Sequence, residues 1–383
     1  MIYLDNAATS FPKPRSVINA MCRSQALFGA NPGRGGHKMT MRAGEIVYSC
    51  RKALADFFSS EEDRVIFTNN CTSALNVAIK GSVKKGDHVI ISSLEHNSVL
   101  RPVHKLQERG IITYDVFEVN PLSADETFMN FLKLIQSNTG LVVMTMVSNV
   151  FGTLLPFEKI GRYCRMKKIR FVLDAAQAAG CHRISMQNMP VDILCFPGHK
   201  GLLGPMGTGG LILGDGVETD SLVEGGTGGN SMSEHQPDIY PDKLESGTLN
   251  LPGIAGLHEG IRFIGSLGGE RAVLEKESSL INILKEDISV IPKITVYDEM
   301  HSTKMTNVLS FNFDDMSSEE TALLLDKHGI AVRAGFHCSY LAHSTYGTAQ
   351  TGVVRVSTGV FNTKKQIKNL SFCLNKIALG AKM

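Results

Sequence analysis

Charge of one sign is what this sequence lacks: 39 lysines and arginines stand against 37 aspartates and glutamates, a net charge of +2, and no block of like charges occurs. That balance excludes a dominant field drawing the chain to nucleic acid or an anionic membrane, so neither is expected as a partner. Long hydrophobic runs are absent too; nothing approaches the roughly 18 consecutive apolar residues of a membrane span. The opening MIYLDNAATS has no basic stretch leading into an apolar one, so no secretory signal is expected. Among the eight cysteines, at 22, 50, 71, 164, 181, 195, 338 and 373, no pair has C-x-x-C spacing. A disulfide framework is not expected in so long a chain, which implies free thiols in a reducing, cytoplasmic setting. Internal repeats and low-complexity linkers are also missing.

What is present is apolar and regularly patterned. Hydrophobic residues make up 43% of the 383, enough for a large core and, by length, roughly two or three domains. From about residue 65 short Val- and Ile-rich runs alternate with helical stretches. The runs are VIF (65–67), HVIIS (88–92), LVVMTMVS (141–148), RFVLD (170–174), DILCF (192–196) and GTGGLIL (207–213). Between them lie TSALNVAIKG (72–81), SVLRPVHKLQERG (98–110) and EKIGRYCRMKK (158–168). Continuous apolar strands separated by helices predict an α/β fold with a mostly parallel sheet covered on both faces. From about 253 the pattern shifts to two helical stretches and a shorter α+β segment. This predicts a large domain over 15–252 and a smaller one over 253–383, with residues 1–14 packing at the junction. The glycine-rich segment 225–250 is too varied for a spacer and reads as an ordered functional loop.

Three polar features fall where ligands bind in open α/β sheets, at the carboxyl ends of strands. The first is NNCTSALN (69–76), which follows VIF and opens a helix. Its backbone N–H groups, with Thr72 and Ser73, suit a phosphate, although both hydroxyls equally suit ordinary helix capping. The second is DAAQ (174–177), whose Asp174 ends a strand and suits a cationic ring nitrogen, or else a loop or cap role. The third is FPGHKGLLGPMGTGG (196–210), with Lys200 in a glycine-rich turn. Apolar surroundings depress a lysine's pKa, as Schiff-base chemistry requires, whereas most strand-end lysines are simply solvated. Taken together, a phosphate cradle, a carboxylate and a lysine meet the needs of pyridoxal 5'-phosphate.

With these residues in place the sequence resembles the class V aminotransferases, a family of fold-type I pyridoxal phosphate enzymes, most closely the cysteine desulfurase and selenocysteine lyase branch. The resemblance runs nearly end to end. Its motifs are YLDNAATS (3–10), NCTSALN, EHNS (95–98), SNVFGT (148–153), DAAQAAG (174–180), PGHKGLLGP (197–205), ESGTLN (245–250), RAGFHC (333–338) and VRVSTGVFN (354–362). It implies a fold-type I architecture with a seven-stranded sheet, Lys200 as Schiff-base lysine, Asp174 on the pyridinium nitrogen, Gln177 on the ring hydroxyl and His96 stacked on the ring. It further implies that Thr72, His199 and the backbone at Cys71 bind the phosphate, and that Thr248 reaches the phosphate of a partner subunit in a homodimer. Asn149 and Arg355 would help place the substrate, Arg333 would hold its carboxylate, and His37 of PGRGGH would lie near the substrate mouth.

The chain departs from the family pattern at three places. Pro197 replaces a hydroxyl donor, which implies weaker phosphate binding. Cys71 stands where threonine or glycine is common, and Ser339-Tyr340 replaces a small residue followed by proline. The last change bears on substrate preference and on partner docking.

Cys338, within RAGFHCSYLAH (333–343), admits three readings: metal ligand, buried thiol or nucleophile. H-C-x4-H matches no usual zinc spacing and no second cysteine lies nearby, so no metal is expected. A buried thiol is the ordinary fate of a single cysteine. Arg333 five residues earlier and His337 beside it instead suggest a thiol in cationic surroundings, which favour the thiolate. The resemblance then implies conversion of L-cysteine to L-alanine through a Cys338 persulfide, passed to a sulfur-acceptor protein in iron–sulfur cluster or thio-cofactor synthesis. The short stretch after RAGFHC resembles the group II branch. L-selenocysteine as substrate, another class V activity such as transamination or epimerisation, and a non-catalytic binding module of the same fold remain alternatives.

Overall fold

The structure is a computed structural model that describes residues 1–33, 35–229, 232–297 and 306–380. Its centre is the expected seven-stranded sheet. The spatial order is Val65–Thr68, Gly209–Leu213, Ile193–Pro197, Arg170–Asp174, Thr139–Thr145, His88–Ser92 and Thr113–Phe117. All strands are parallel except Gly209–Leu213, which runs against both neighbours.

Strand alternation sorts the apolar runs onto two faces. Val89, Ile91, Val143 and Val172 pack with Leu75 and Ile79 of the helix Cys71–Lys80 and Val99 and Val103 of the helix Asn97–Glu108. Ile90, Val142, Leu173 and Leu194 pack on the other side with Leu54 and Phe58 of the helix Lys38–Phe58. Burial on both faces is why these strands read as unbroken apolar runs. The strand Thr113–Phe117 carries no such signature. It lies at the sheet edge, where half-exposed Tyr114 and Asp115 are tolerated.

A second sheet of four antiparallel strands has the order Arg333–Gly335, Val353–Ser357, Val308–Phe313 and Ile294–Tyr297. The helices Gly269–Ile288 and Lys364–Ala378 cover it through Ile281, Leu284, Leu370 and Leu374. Leu4 belongs to this core, and the strand Ile2–Tyr3 pairs in parallel with Ile330–Ala331. The helix Leu251–Ser266, at the start of the expected smaller domain, sends Leu257, Ile261 and Ile264 into the core of the large sheet. No helix among the described residues is long and apolar enough to cross a membrane.

Candidate active site

The carboxyl ends of the central strands gather the polar motifs. Lys200 follows the strand Ile193–Pro197 in a turn pressed against DAAQAAG. A Cβ on Gly180, whose φ is +94°, would lie 2.3 Å from Gly201 O, and one on Gly201 would lie 2.3 Å from Ala179 O. Only glycine permits two backbones to meet so closely. The N-terminal segment fixes the turn from outside, because the His199 carbonyl accepts from Lys13 Nζ at 2.7 Å and from the Ser10 N–H at 3.1 Å. Burial lowers the Lys200 pKa; the charges of Asp174 and Cys71 pull it up, and Arg355 and Arg333 add to the lowering. All four groups therefore act on one amine.

Asp174 is buried at the end of Arg170–Asp174, where burial raises its pKa. Its Oδ1 accepts from the Ala176 N–H at 2.8 Å and from the Cys71 thiol at 3.5 Å. Cys71 opens the helix Cys71–Lys80, and burial followed by the Asp174 charge holds its thiol well above the usual range. Asn70 caps that helix by accepting from the Ser73 N–H at 2.8 Å, so Thr72 is not the cap. The Thr72 hydroxyl instead lies 2.7 Å from Ser98 Oγ, which is 2.9 Å from His96 Nδ1.

His96 caps the helix Asn97–Glu108, with Nδ1 accepting from the Ser98 N–H at 3.0 Å. That bond places the ring proton on Nε2. Burial, with Lys200 and Arg333 next, lowers the His96 pKa to about 4, so the ring is neutral. Gln177 is buried and donates to the Ala7 carbonyl at 3.1 Å. His199 Nδ1 is buried with no partner among the described residues, and burial lowers its pKa to about 4.

The second sheet supplies the cationic side. Arg333 and Arg355 are direct cross-strand neighbours. Arg355 is 1% exposed, donating to Asp5 Oδ1 at 2.6 Å and to the Asn149 carbonyl at 2.8 Å, while its buried Nε has no partner. Arg333 Nη2 lies 4.0 Å from Cys338 Sγ. Cys338 is exposed, and its carbonyl accepts from the Asn97 N–H at 2.8 Å, next to His96. His337 and His343 turn inward: His337 Nε2 lies 3.1 Å from Val353 O and His343 Nδ1 lies 2.8 Å from Thr348 Oγ1. No group of three or more potential metal ligands occurs among the described residues.

Two expected site residues are not drawn in by this single chain. His37 caps the helix Lys38–Phe58, with Nε2 3.0 Å from Thr40 Oγ1. Thr248 is exposed, three residues beyond Glu245, which is anchored by a buried ion pair to Arg51 at 2.8 Å. Other residues emerge only in three dimensions. Asp5 and Ser98 stand inside quoted motifs, YLDNAATS and EHNS, which is the signal that could have found them. Buried Glu95 accepts from the Thr145 N–H at 2.8 Å and from Ser92 Oγ; burial pushes it up to about 8. Cys181, without a partner in the sequence pattern, lies 3.4 Å from Glu277 Oε2.

A half-buried lysine and a buried strand-end carboxylate, at the carboxyl edge of a mostly parallel sheet, are the arrangement of the fold-type I class. Within that class the chain belongs to the aminotransferase class-V family, whose model matches residues 2–370. It is 32% identical to a probable cysteine desulfurase of Methanothermobacter thermautotrophicus, over 98% of this chain and 94% of the relative. A probable cysteine desulfurase of Pyrococcus abyssi is 30% identical over 98% of this chain and 94% of its own. Among solved structures, the apo cysteine desulfurase of Thermococcus onnurineus NA1 superposes with a TM-score of 0.89 at 28% identity, covering 99% of this chain and 95% of that one.

Proposed function

We propose that this chain is a pyridoxal phosphate-dependent cysteine desulfurase that converts L-cysteine to L-alanine and takes the sulfur onto Cys338 as a persulfide for delivery to an acceptor protein. One observation carries the reading: an exposed Cys338 thiol 4.0 Å from Arg333 Nη2, on a loop hydrogen-bonded to Asn97 beside His96. Exposure leaves the sulfur open to a substrate whose carboxylate the neighbouring guanidinium would hold.

The residues fit the cofactor. His199 Nδ1 is a buried polar atom lacking a partner, Thr72 is exposed at a helix N-terminus, and Asp174 is a buried carboxyl group. Asp174 would keep a ring nitrogen protonated, Gln177 would meet the ring hydroxyl, His96 would lie on the ring face, and Thr72, His199 and the first N–H groups of the helix would hold the phosphate. Pyridoxal phosphate, when bound, supplies a sink for the electrons released at the substrate's Cα. Lys200 would hold the cofactor and then take up the Cα proton at Nζ, and its lowered pKa keeps the amine available as a base. Arg333, with Arg355 beside it and pinned by Asp5, would hold the substrate carboxylate. The Cys338 thiolate then attacks the substrate sulfur. An S–S bond forms and the C–S bond breaks; its electron pair stays on carbon, which is protonated to give alanine, so sulfur is oxidised as carbon is reduced. His96, with its ring proton on Nε2, would manage the thiol's proton. Exposed Thr248 and His37 support completion of the site by a second copy of the chain.

The test is direct. Purified protein with pyridoxal phosphate and L-cysteine should yield alanine and, at Cys338, a persulfide seen by mass spectrometry. Lys200→Ala should abolish both products. Alanine formation at the parent rate in Cys338→Ala would overturn the persulfide route.

A further inference from the structure

Cys338 sits in an unusual backbone. His337 and Cys338 have φ of +50° and +60°, two successive non-glycine residues in the left-handed region. Such a conformation persists only where surrounding structure imposes it.

We propose that Ser339 and Asn149 form a latch that imposes it, and that both are positioning residues for sulfur transfer. The proposal rests on the reading of Cys338 as sulfur acceptor. Asn149 Nδ2 donates to the His337 carbonyl at 2.8 Å, and Asn149 Oδ1 accepts from Ser339 Oγ at 2.7 Å. The amide thus spans Cys338, holding the residue before it and the residue after it. The Asn97 N–H holds the Cys338 carbonyl from the opposite wall, and the Ser339 N–H donates to Phe336 O at 3.0 Å. Asn149 is itself held, because its carbonyl accepts from Arg355 Nη1 at 2.8 Å. The guanidinium beside the substrate and the backbone of the thiol therefore share one support.

Ser339 is 0% exposed, so its hydroxyl has no water to fall back on. It also stands where the chain departs from its family pattern. With both ends of its amide engaged, Asn149 acts on the substrate through the Cys338 loop. Loss of the hydroxyl leaves the amide oxygen buried without that donor and lets the Cys338 peptide planes relax, moving Sγ off its line to the substrate sulfur.

The experiment follows a single turnover of cofactor-loaded enzyme with excess L-cysteine, quantifying persulfide on the Cys338 peptide. Ser339→Ala should slow persulfide formation by about tenfold, the scale of one lost buried hydrogen bond, while KM for L-cysteine stays within about twofold. Asn149→Ala should slow the same step, and the double variant should be no slower than Asn149→Ala alone, because the two act as a unit. Persulfide formation at the parent rate in Ser339→Ala overturns the latch. So does an Asn149→Ala enzyme with raised KM and an unchanged rate at saturating cysteine. Cys338→Ala, run alongside, separates the two ideas. If it makes no alanine while Ser339→Ala runs at the parent rate, the latch alone fails; if it still makes alanine, the sulfur-acceptor role fails and the latch with it.

Discussion

Asp5 and Arg355 are 350 residues apart in the chain, yet Asp5 Oδ1 lies 2.6 Å from Arg355 Nη2. The guanidinium is almost fully enclosed, and among the described residues Asp5 is the carboxylate that pairs with it. Asp5→Asn should lower the unfolding free energy by about 3 kcal/mol, since removing one partner leaves a buried charge uncompensated; urea titration of parent and variant checks this. The same pair marks how far single residues were legible. Lys200 and Asp174 stand in turns whose glycines and strand ends announce close approach to a ligand. Asp5 and Glu95 stand inside quoted motifs and Ser339 at a departure from the family pattern, but what each does is defined by a partner that only the fold brings near. The sequence resemblance implies a substrate-placing role for Asn149; its grip on the Cys338 loop has no mark in the sequence.

At the level of elements, the segment 225–250 is anchored by buried Glu245, alongside Tyr240, which packs into the core of the large sheet. Glu245 accepts from Arg51 Nη1 and Nη2, each at 2.8 Å, and from the Phe67 N–H at 2.6 Å, tying ESGTLN to the helix Lys38–Phe58 and the strand Val65–Thr68. The Arg51 guanidinium also lies 4.7 Å from the Phe67 ring centroid. Glu245→Ala should cost about 3–5 kcal/mol and, by freeing the segment that presents Thr248, should weaken self-association. Sedimentation at falling protein concentration would show it, and an unchanged profile would detach this loop from any subunit contact. Strands buried on both faces were readable as apolar runs. The edge strand Thr113–Phe117 was not, because one-sided burial leaves room for polar residues. The expected break at residue 253 falls at the head of Leu251–Ser266, whose apolar face serves the large sheet, so the change of composition precedes the change of core.

For the whole molecule, stability depends on a carboxyl group that bridges distant segments. Glu277, on the helix Gly269–Ile288, is buried against Cys181 at 3.4 Å and Asn307 Nδ2 at 2.9 Å. Burial raises its pKa to about 7, above the ordinary value of 4.5. A raised folded-state value means the protonated group's contribution is complete below pH 4.5 and is lost as pH climbs through 7. Glu277→Gln removes that titration. Its stability should therefore gain on the parent across this window by up to about 1.4 kcal/mol per pH unit, measured by denaturant unfolding at pH 5 and pH 8. A constant difference between the two proteins would show that Glu277 is already ionised at the lower pH.

The N-terminal segment carries a consequence in time rather than in space. Ile2 pairs with Ile330, the Ser357 N–H donates to the Leu4 carbonyl, and Ser10 and Lys13 grip the His199 carbonyl. On the ribosome those first residues emerge before any of their partners: His199 follows at mid-chain, whereas Ile330 and Ser357 come only near its end. An unfinished polypeptide can therefore brace its lysine turn once Lys200 has been made, but it has no Arg355 for Asp5 to pin. The cationic side formed by Arg333 and Arg355 therefore joins the lysine turn only when synthesis is nearly over.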